Sequence, residues 1–274
     1  MTETGDRERL ATYVETWRRA CADFIALTRS LAEDEGDLPT DLPGWTVRDN
    51  VAHTAHLEGV LAGAPEDDVE VPASAHLTAV TALYTEQGVL ARRGRTLTEL
   101  ADEIENAVAG RAEALRANPP VDGDAAPPRT PGGVGWSTEV LLRNRPLDVW
   151  MHEQDIRRAV DRPGGWDSPA AAHTLRIFAG SLPVLVGKRL APPAGTVVRL
   201  HVPEAGIDRS VQVGQDGRAG RADPDAPPTT TVTLSPESFA ILSGGRRHPA
   251  TVEAAIAGDE ELGRGLLAVM AVTP

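Results

Sequence analysis

The feature that most constrains this chain is a change of hydrophobic period at Ala191-Pro192-Pro193-Ala194-Gly195. Ahead of it, apolar residues recur at intervals of three and four, the spacing of helices with one buried face. Beyond it, Thr196–Val202, Asp208–Val213 and Thr229–Leu234 alternate apolar and polar side chains, as half-buried strands do. A chain with that switch is expected to be mainly α, with a helical bundle over residues 1–190 and a small α+β domain over 191–274. The apolar fraction of 41% can fill two modest cores. Aromatic residues make up only 4%, so those cores must rest on Leu, Val, Ala and Ile.

The first stripe is Leu10, Tyr13, Trp17, Cys21 and Phe24, in a helix predicted over Arg7–Leu31. Cys21 lies on that stripe and reads as a small buried hydrophobe, not a nucleophile. Thr46-x-x-Asp49 has the capping-box pattern, with Asp in place of Glu or Gln, and opens a second helix over Val47–Leu61. Helical spacing resumes from Ala75 to Ala117 and breaks at Arg92-Arg93-Gly94-Arg95. Thr96-x-x-Glu99 is a second box, and His76 reads as a surface residue. Asn118–Gly135 is loop, equally a pocket wall or an idle solvated segment.

Ser137 opens the next helix. Pro146 inside it removes a backbone bond and predicts a kink or restart just before Asp148. A last helix is predicted over Ser168–Leu190, with Pro183 inside it. In the second part, Asp216-Gly217 marks a hairpin turn, Ser235-Pro236 caps a short helix, Val252–Ile256 reads as a strand, and Gly258-Asp259 opens a helix to Met270.

A net charge of −13, with Lys188 the only lysine, argues against nucleic acid or an anionic membrane as partner. One cysteine permits no intrachain disulfide, and a reducing cytoplasm is the simple inference. Met1–Arg9 has no apolar signal-peptide core, and no apolar run is expected to reach the roughly 18 residues of a membrane helix. The expected partners are small molecules, in a monomer or a homodimer.

Asp148 and His152 stand four apart on a predicted helix, one turn apart on one face. A carboxylate and an imidazole placed that way can grip one divalent metal. A third ligand is on offer from His53, at the end of Gly44-Trp45-Thr46-Val47-Arg48-Asp49-Asn50-Val51-Ala52-His53, although a lone helical histidine is more often a core or surface residue than a ligand. His56, three further on, can share its face.

Gly-Trp-Thr-Val-Arg-Asp with a histidine seven past the threonine, followed far downstream by Trp150-x-His152-x-Gln154-Asp155-Ile156, resembles the mycothiol-dependent maleylpyruvate isomerase family of the DinB/YfiT-like metal-binding superfamily. The resemblance implies a DinB-like four-helix bundle followed by a sterol-carrier-protein-like α+β domain. It implies that His53, Asp148 and His152 hold a divalent metal, Zn²⁺ before Ni²⁺, Fe²⁺ or Mn²⁺. Three protein ligands leave an open position for the thiol of mycothiol, which attacks a small electrophile. An isomerase then eliminates the thiol again, whereas an S-transferase keeps the adduct. His56 and Asp155 are expected to line the cofactor site, and Arg246 of Gly245-Arg246 to bind a substrate carboxylate. The chain departs from the family pattern at Asp148, where Glu is expected, one methylene longer. The alternatives are a metal- or ligand-binding protein without turnover and a metal-dependent hydrolase.

Overall fold

The computed structural model describes residues 3–72 and 80–273. The start of the helical spacing at Ala75 and the surface reading of His76 lie outside the described residues. The chain divides into two compact units, Met1–Ala171 and Ala172–Pro274.

The first unit carries α1 (Glu3–Arg29), α2 (Val47–Ala62), α3 (Val80–Leu90), α4 (Leu97–Ala117) and α5 (Thr138–Ala159). Helices α1 and α2 each pack against both α4 and α5, which makes a four-helix bundle, and α3 lies along α2. Its centre is filled by Leu10, Trp17 and Phe24 of the predicted α1 stripe, Val47 and Val51 of α2, Leu100 and Ile104 of α4, and Val149 and Ile156 of α5, all buried, while Tyr13 is half-buried. Each such side chain contributes about 1.5–3 kcal/mol by leaving water. Cys21 is fully buried in the same layer, and burial pushes its thiol well up from the ordinary value. It is therefore expected to resist a thiol reagent in the native protein and react only in denaturant. Rapid native labelling would contradict this placement.

Both capping boxes form. The Thr46 side chain accepts from the Asp49 N–H, and the Asp49 carboxylate accepts from the Thr46 N–H at 2.9 Å. Thr96 and Glu99 repeat the arrangement at the start of α4. Ser137 caps α5, which then runs unbroken through Pro146. The restart expected before Asp148 does not occur. Pro146 lacks one N–H, but Arg145, Pro146 and Leu147 are all buried, and packing holds the turn. Asp148 and His152 thus stay in helical phase. The loop before α5 is tied down: Ala125 O accepts from the Thr138 N–H at 2.8 Å, and Ala64 O accepts from Arg129 at 2.5 Å.

The second unit holds a five-stranded mixed sheet of order β3-β2-β1-β4-β5. Its strands are β1 (Val197–Val202), β2 (Ile207–Val213), β3 (Ala219–Arg221), β4 (Thr230–Thr233) and β5 (Ala255–Gly258). β1 pairs antiparallel with β2 and parallel with β4, and the outer pairs are antiparallel. Helices α8 (Pro236–Ser243) and α9 (Glu260–Val269) start at their predicted caps, Ser235 and Asp259. β5 lies later than the predicted Val252–Ile256 and ends at Gly258, whose φ of 88° suits glycine.

Three expectations need correction here. The single helix over Ser168–Leu190 is α6 (Pro169–Gly180), α7 (Leu182–Val184) and a π-helical turn (Leu185–Leu190), because Pro183 has no N–H to offer the carbonyl of Ala179. The division between units falls before this segment's end, not at 190/191. A Cβ on Gly187 would lie 2.7 Å from the backbone N of Ala219 in β3, and one on Gly265 of α9 would lie 2.8 Å from Leu190, so this stretch packs with the sheet. Ala191–Gly195 is therefore a connection within the second unit. Finally, Pro169–Leu190 is long and apolar enough, by length and composition alone, to cross a membrane. Its buried Phe178, Leu182, Leu185 and Val186 give it the pattern of a core helix.

Candidate metal centre

Helix α2 delivers His53, and α5 delivers Asp148 and His152. Their ligand atoms lie within 4.8 Å of one another. His53 Nε2 is 3.6 Å from Asp148 Oδ2, His152 Nε2 is 3.8 Å from Asp148 Oδ1, and the imidazole centroids are 4.6 Å apart. Ligands bonded to one tetrahedral ion at about 2.0–2.2 Å stand roughly 3.4 Å from each other, so ligand atoms within 4.8 Å need to close by at most about 1.4 Å. Both histidines are buried, and the Asp148 side chain keeps 24% of its surface exposed, which leaves the cluster reachable from solvent.

The tautomer of His152 follows from its neighbour. Asn50 donates its amide hydrogens to Thr46 O at 2.9 Å and Thr40 Oγ1 at 3.2 Å, so its Oδ1 must accept. That oxygen lies 2.8 Å from His152 Nδ1. The hydrogen-bond network therefore assigns the proton to Nδ1 and leaves the Nε2 lone pair facing Asp148, the arrangement that orients a ligating imidazole. Asp155 Oδ2 is 3.5 Å from the same Nδ1, while its Oδ1 accepts from Arg158 at 2.5 Å. The Trp45 ring lies 5.1 Å from His53 and 6.0 Å from His152, and its Nε1 donates to Glu86 at 2.8 Å.

The charges come from a buried chain. Arg145 donates through Nη1 to Asp148 Oδ2 at 2.9 Å, and through Nε and Nη2 to Glu58 Oε1 at 3.0 and 2.8 Å. The other Glu58 oxygen accepts from Arg111 at 3.1 Å, and the Arg111 guanidinium lies 4.5 Å over the Trp17 ring. Burial alone would raise the Asp148 pKa, but Arg145 and both imidazoles outweigh it and hold the carboxyl well below its usual range. Glu58 is held down in the same way against burial, by Arg145 and Arg111. Burial pushes His53 down to about 4, so it is neutral at pH 7. Its Nδ1 is buried without a partner among the described residues, and Nε2 at 3.6 Å from Asp148 is beyond hydrogen-bonding distance. Two imidazoles, that of His53 neutral and otherwise unsatisfied among the described residues, and one ionised carboxylate are a donor set that fits a borderline divalent ion.

The other sequence-predicted residues divide. Asp155 sits beneath His152. His56 belongs to a different network: its Nδ1 is 2.8 Å from Asp67 Oδ2, its ring is 5.1 Å from Tyr84, and Asp67 also takes Arg92 at 2.5 Å. Arg246 lies in the second unit, after α8, and donates to Gly244 O at 2.8 Å. Sequence reasoning missed Asn50 and the Arg111–Glu58–Arg145 chain. The available signals were helical: Asn50 is one turn ahead of His53, and Arg145 one turn ahead of Asp148.

His56 also sets a pH dependence. Burial first, then Arg92, lower its pKa against the pull of Asp67 and Glu66. A histidine whose folded pKa is depressed stabilises the fold above its unfolded value, about 6.5, and that stability is lost as the pH falls below it. Stability is expected to decline below about pH 6.5, less steeply in His56→Gln. Denaturant midpoints at pH 7.5, 6 and 5 check this, and parallel profiles for the two proteins would contradict it.

Comparison with known proteins bears on the fold and the family. Two crystal structures of mycothiol-dependent maleylpyruvate isomerase, one of a histidine-to-alanine mutant, share the fold. Each has a TM-score of 0.56 and 17% identity, over 90% of this chain and 92% of theirs. No protein of curated function matches the sequence. The profile of the family described as mycothiol maleylpyruvate isomerase N-terminal domain matches residues 17–157, just over half of the chain and the whole of the His53, Asp148 and His152 cluster. The chain therefore belongs to the mycothiol maleylpyruvate isomerase N-terminal domain family.

Proposed function

We propose that this protein is a metal- and mycothiol-dependent enzyme that isomerises a small electrophilic cis-alkene of the maleylpyruvate type, or transfers the thiol to such an electrophile. The observation that carries the reading is the convergence of His53, Asp148 and His152 in a chain of this family. His53 presents a neutral imidazole and Asp148 a carboxylate that stays ionised at neutral pH, with His152 between Asn50 and Asp148. A divalent ion held there would lower the pKa of a thiol at its open position, so that thiolate forms at neutral pH. Asn50 keeps the His152 lone pair aimed at the cluster, with Asp155 beside it, and Trp45 shields the imidazoles from water. Arg246 supplies a planar fork suited to a substrate carboxylate. His56 has less support as a cofactor contact, because Asp67 and Tyr84 enclose it. The net charge of −13 and the single buried cysteine suit a cytoplasmic enzyme of small molecules.

The test is metal analysis of protein expressed with Zn²⁺, Ni²⁺, Fe²⁺ and Mn²⁺ supplied, followed by a maleylpyruvate assay with and without mycothiol. About one metal per chain and turnover only with mycothiol are expected. A metal-free protein under all four conditions would overturn the proposal. Metal without thiol affinity would leave a binding protein, and thiol-independent hydrolysis a hydrolase.

Asp148→Glu is expected to keep or tighten metal binding, since it restores the longer carboxylate of the family pattern and the 24% exposure of the side chain leaves it room to adjust. Chelator competition measures this; a loss of tenfold or more would show that the cluster is built to the shorter side chain.

A further inference from the structure

We infer that Arg145 is a charge-tuning residue of the cluster: it cancels the charge of Asp148, so that a bound divalent ion keeps its full charge for an anionic ligand. The inference rests on the proposed metal site. Its observation is the buried chain of alternating charge that crosses all four bundle helices. Trp17 of α1 covers Arg111 of α4, Arg111 pairs with Glu58 of α2, and Glu58 grips Arg145 of α5, which ends on Asp148. Arg111, Glu58 and Arg145 are 6%, 0% and 1% exposed, so solvent screens them little.

The charge count follows directly. Two arginines and two carboxylates cancel, and the two imidazoles add nothing when neutral. Two imidazoles and one carboxylate alone would leave a divalent ion with one net positive charge; with Arg145 in place the cluster leaves it two. The cost falls on metal affinity. Arg145 Nη1 is 2.9 Å from Asp148 Oδ2. An ion bonded to that carboxylate therefore lies within roughly 5–7 Å of the guanidinium, where repulsion between one and two charges is worth about tenfold in affinity even at the dielectric of water. The gain falls on the open position, where a thiolate or carboxylate meets a more electropositive ion. Lost orientation of Asp148 acts in the opposite direction, but the carboxylate remains in phase with His152 on an unbroken helix.

Signed variants separate charge from scaffolding. Arg145→Met removes a positive charge and leaves Glu58 paired with Arg111, whereas Glu58→Gln removes a negative charge at nearly constant shape. Co²⁺ affinity by chelator competition at pH 8 is expected to rise about tenfold in Arg145→Met and fall about tenfold in Glu58→Gln, with Arg145→Lys close to wild type. Thiocyanate binding to the Co²⁺-loaded proteins, followed by visible absorption, is expected to weaken in Arg145→Met. A merely structural role predicts weaker metal binding in both Arg145→Met and Glu58→Gln, and that outcome would overturn the inference. Should Arg145→Met not fold, Glu58→Gln and Arg145→Lys still decide: unchanged affinity in Glu58→Gln, or a tenfold change in Arg145→Lys, overturns it. Wild-type protein that takes up no Co²⁺ would instead remove the metal site itself.

Discussion

His152→Ala is expected to lose its metal and its thiol-dependent turnover while keeping its helix content. The substitution takes one of the three proposed ligands, and the one held by a hydrogen bond to Asn50 at 2.8 Å. Loss of a residue that only orients a ligand typically costs 10–100-fold in metal affinity, and loss of the ligand itself costs more. Helix α5 should persist, because its buried face, including Val149, Trp150 and Ile156, is untouched. The Asn50 oxygen is left without its donor, at a cost of about 1–3 kcal/mol of stability. Metal content per chain, circular dichroism and turnover should be measured on one preparation. A variant that retains stoichiometric metal would place the ion elsewhere and remove His152 from the site.

Glu58→Ala is the substitution expected to cost most in stability. Glu58 is fully buried and is the shared acceptor of Arg145 and Arg111, themselves almost without exposure. Among the described residues, truncation leaves one buried guanidinium with Asp148 and the other against the Trp17 face. Breaking a buried ion pair by removing one partner costs about 3–5 kcal/mol, because the remaining charge is uncompensated. For a unit of this size that lowers the melting temperature by roughly 6–20 °C. The denaturant midpoint should fall with an unchanged slope. A change below about 1 kcal/mol would show that water reaches the arginines and replaces the carboxylate.

The elements whose cause is local were legible from the residues alone. Thr46 with Asp49 and Thr96 with Glu99 signal helix starts within four residues, and both boxes form. The alternation in residues 196–202 sets β1, because a half-buried strand needs no information beyond its own period. Asp148 and His152 were paired by helical spacing, which the unbroken α5 preserves.

Contacts across the fold were not legible. His53 and Asp148 are 95 residues apart in number, and nothing in either stretch encodes their 3.6 Å approach except the family motif. Glu58 and Arg145 read as ordinary solvated charges until the packing of α2 against α5 removes the water from both. Asn50 reads as a helix-start residue until Thr40 and Thr46 take its donors and turn its oxygen to His152. The three-residue β3 is too short to carry a period, and exists because β2 offers it an edge. The residues leading to Leu190 join the sheet unit because Gly187 permits close approach to β3. Spacing along the chain determined the capped helices, the alternating strand β1 and one helical pair of candidate ligands; only tertiary packing, by excluding water and bringing distant charges into contact, decided the third candidate's position and the charge around it.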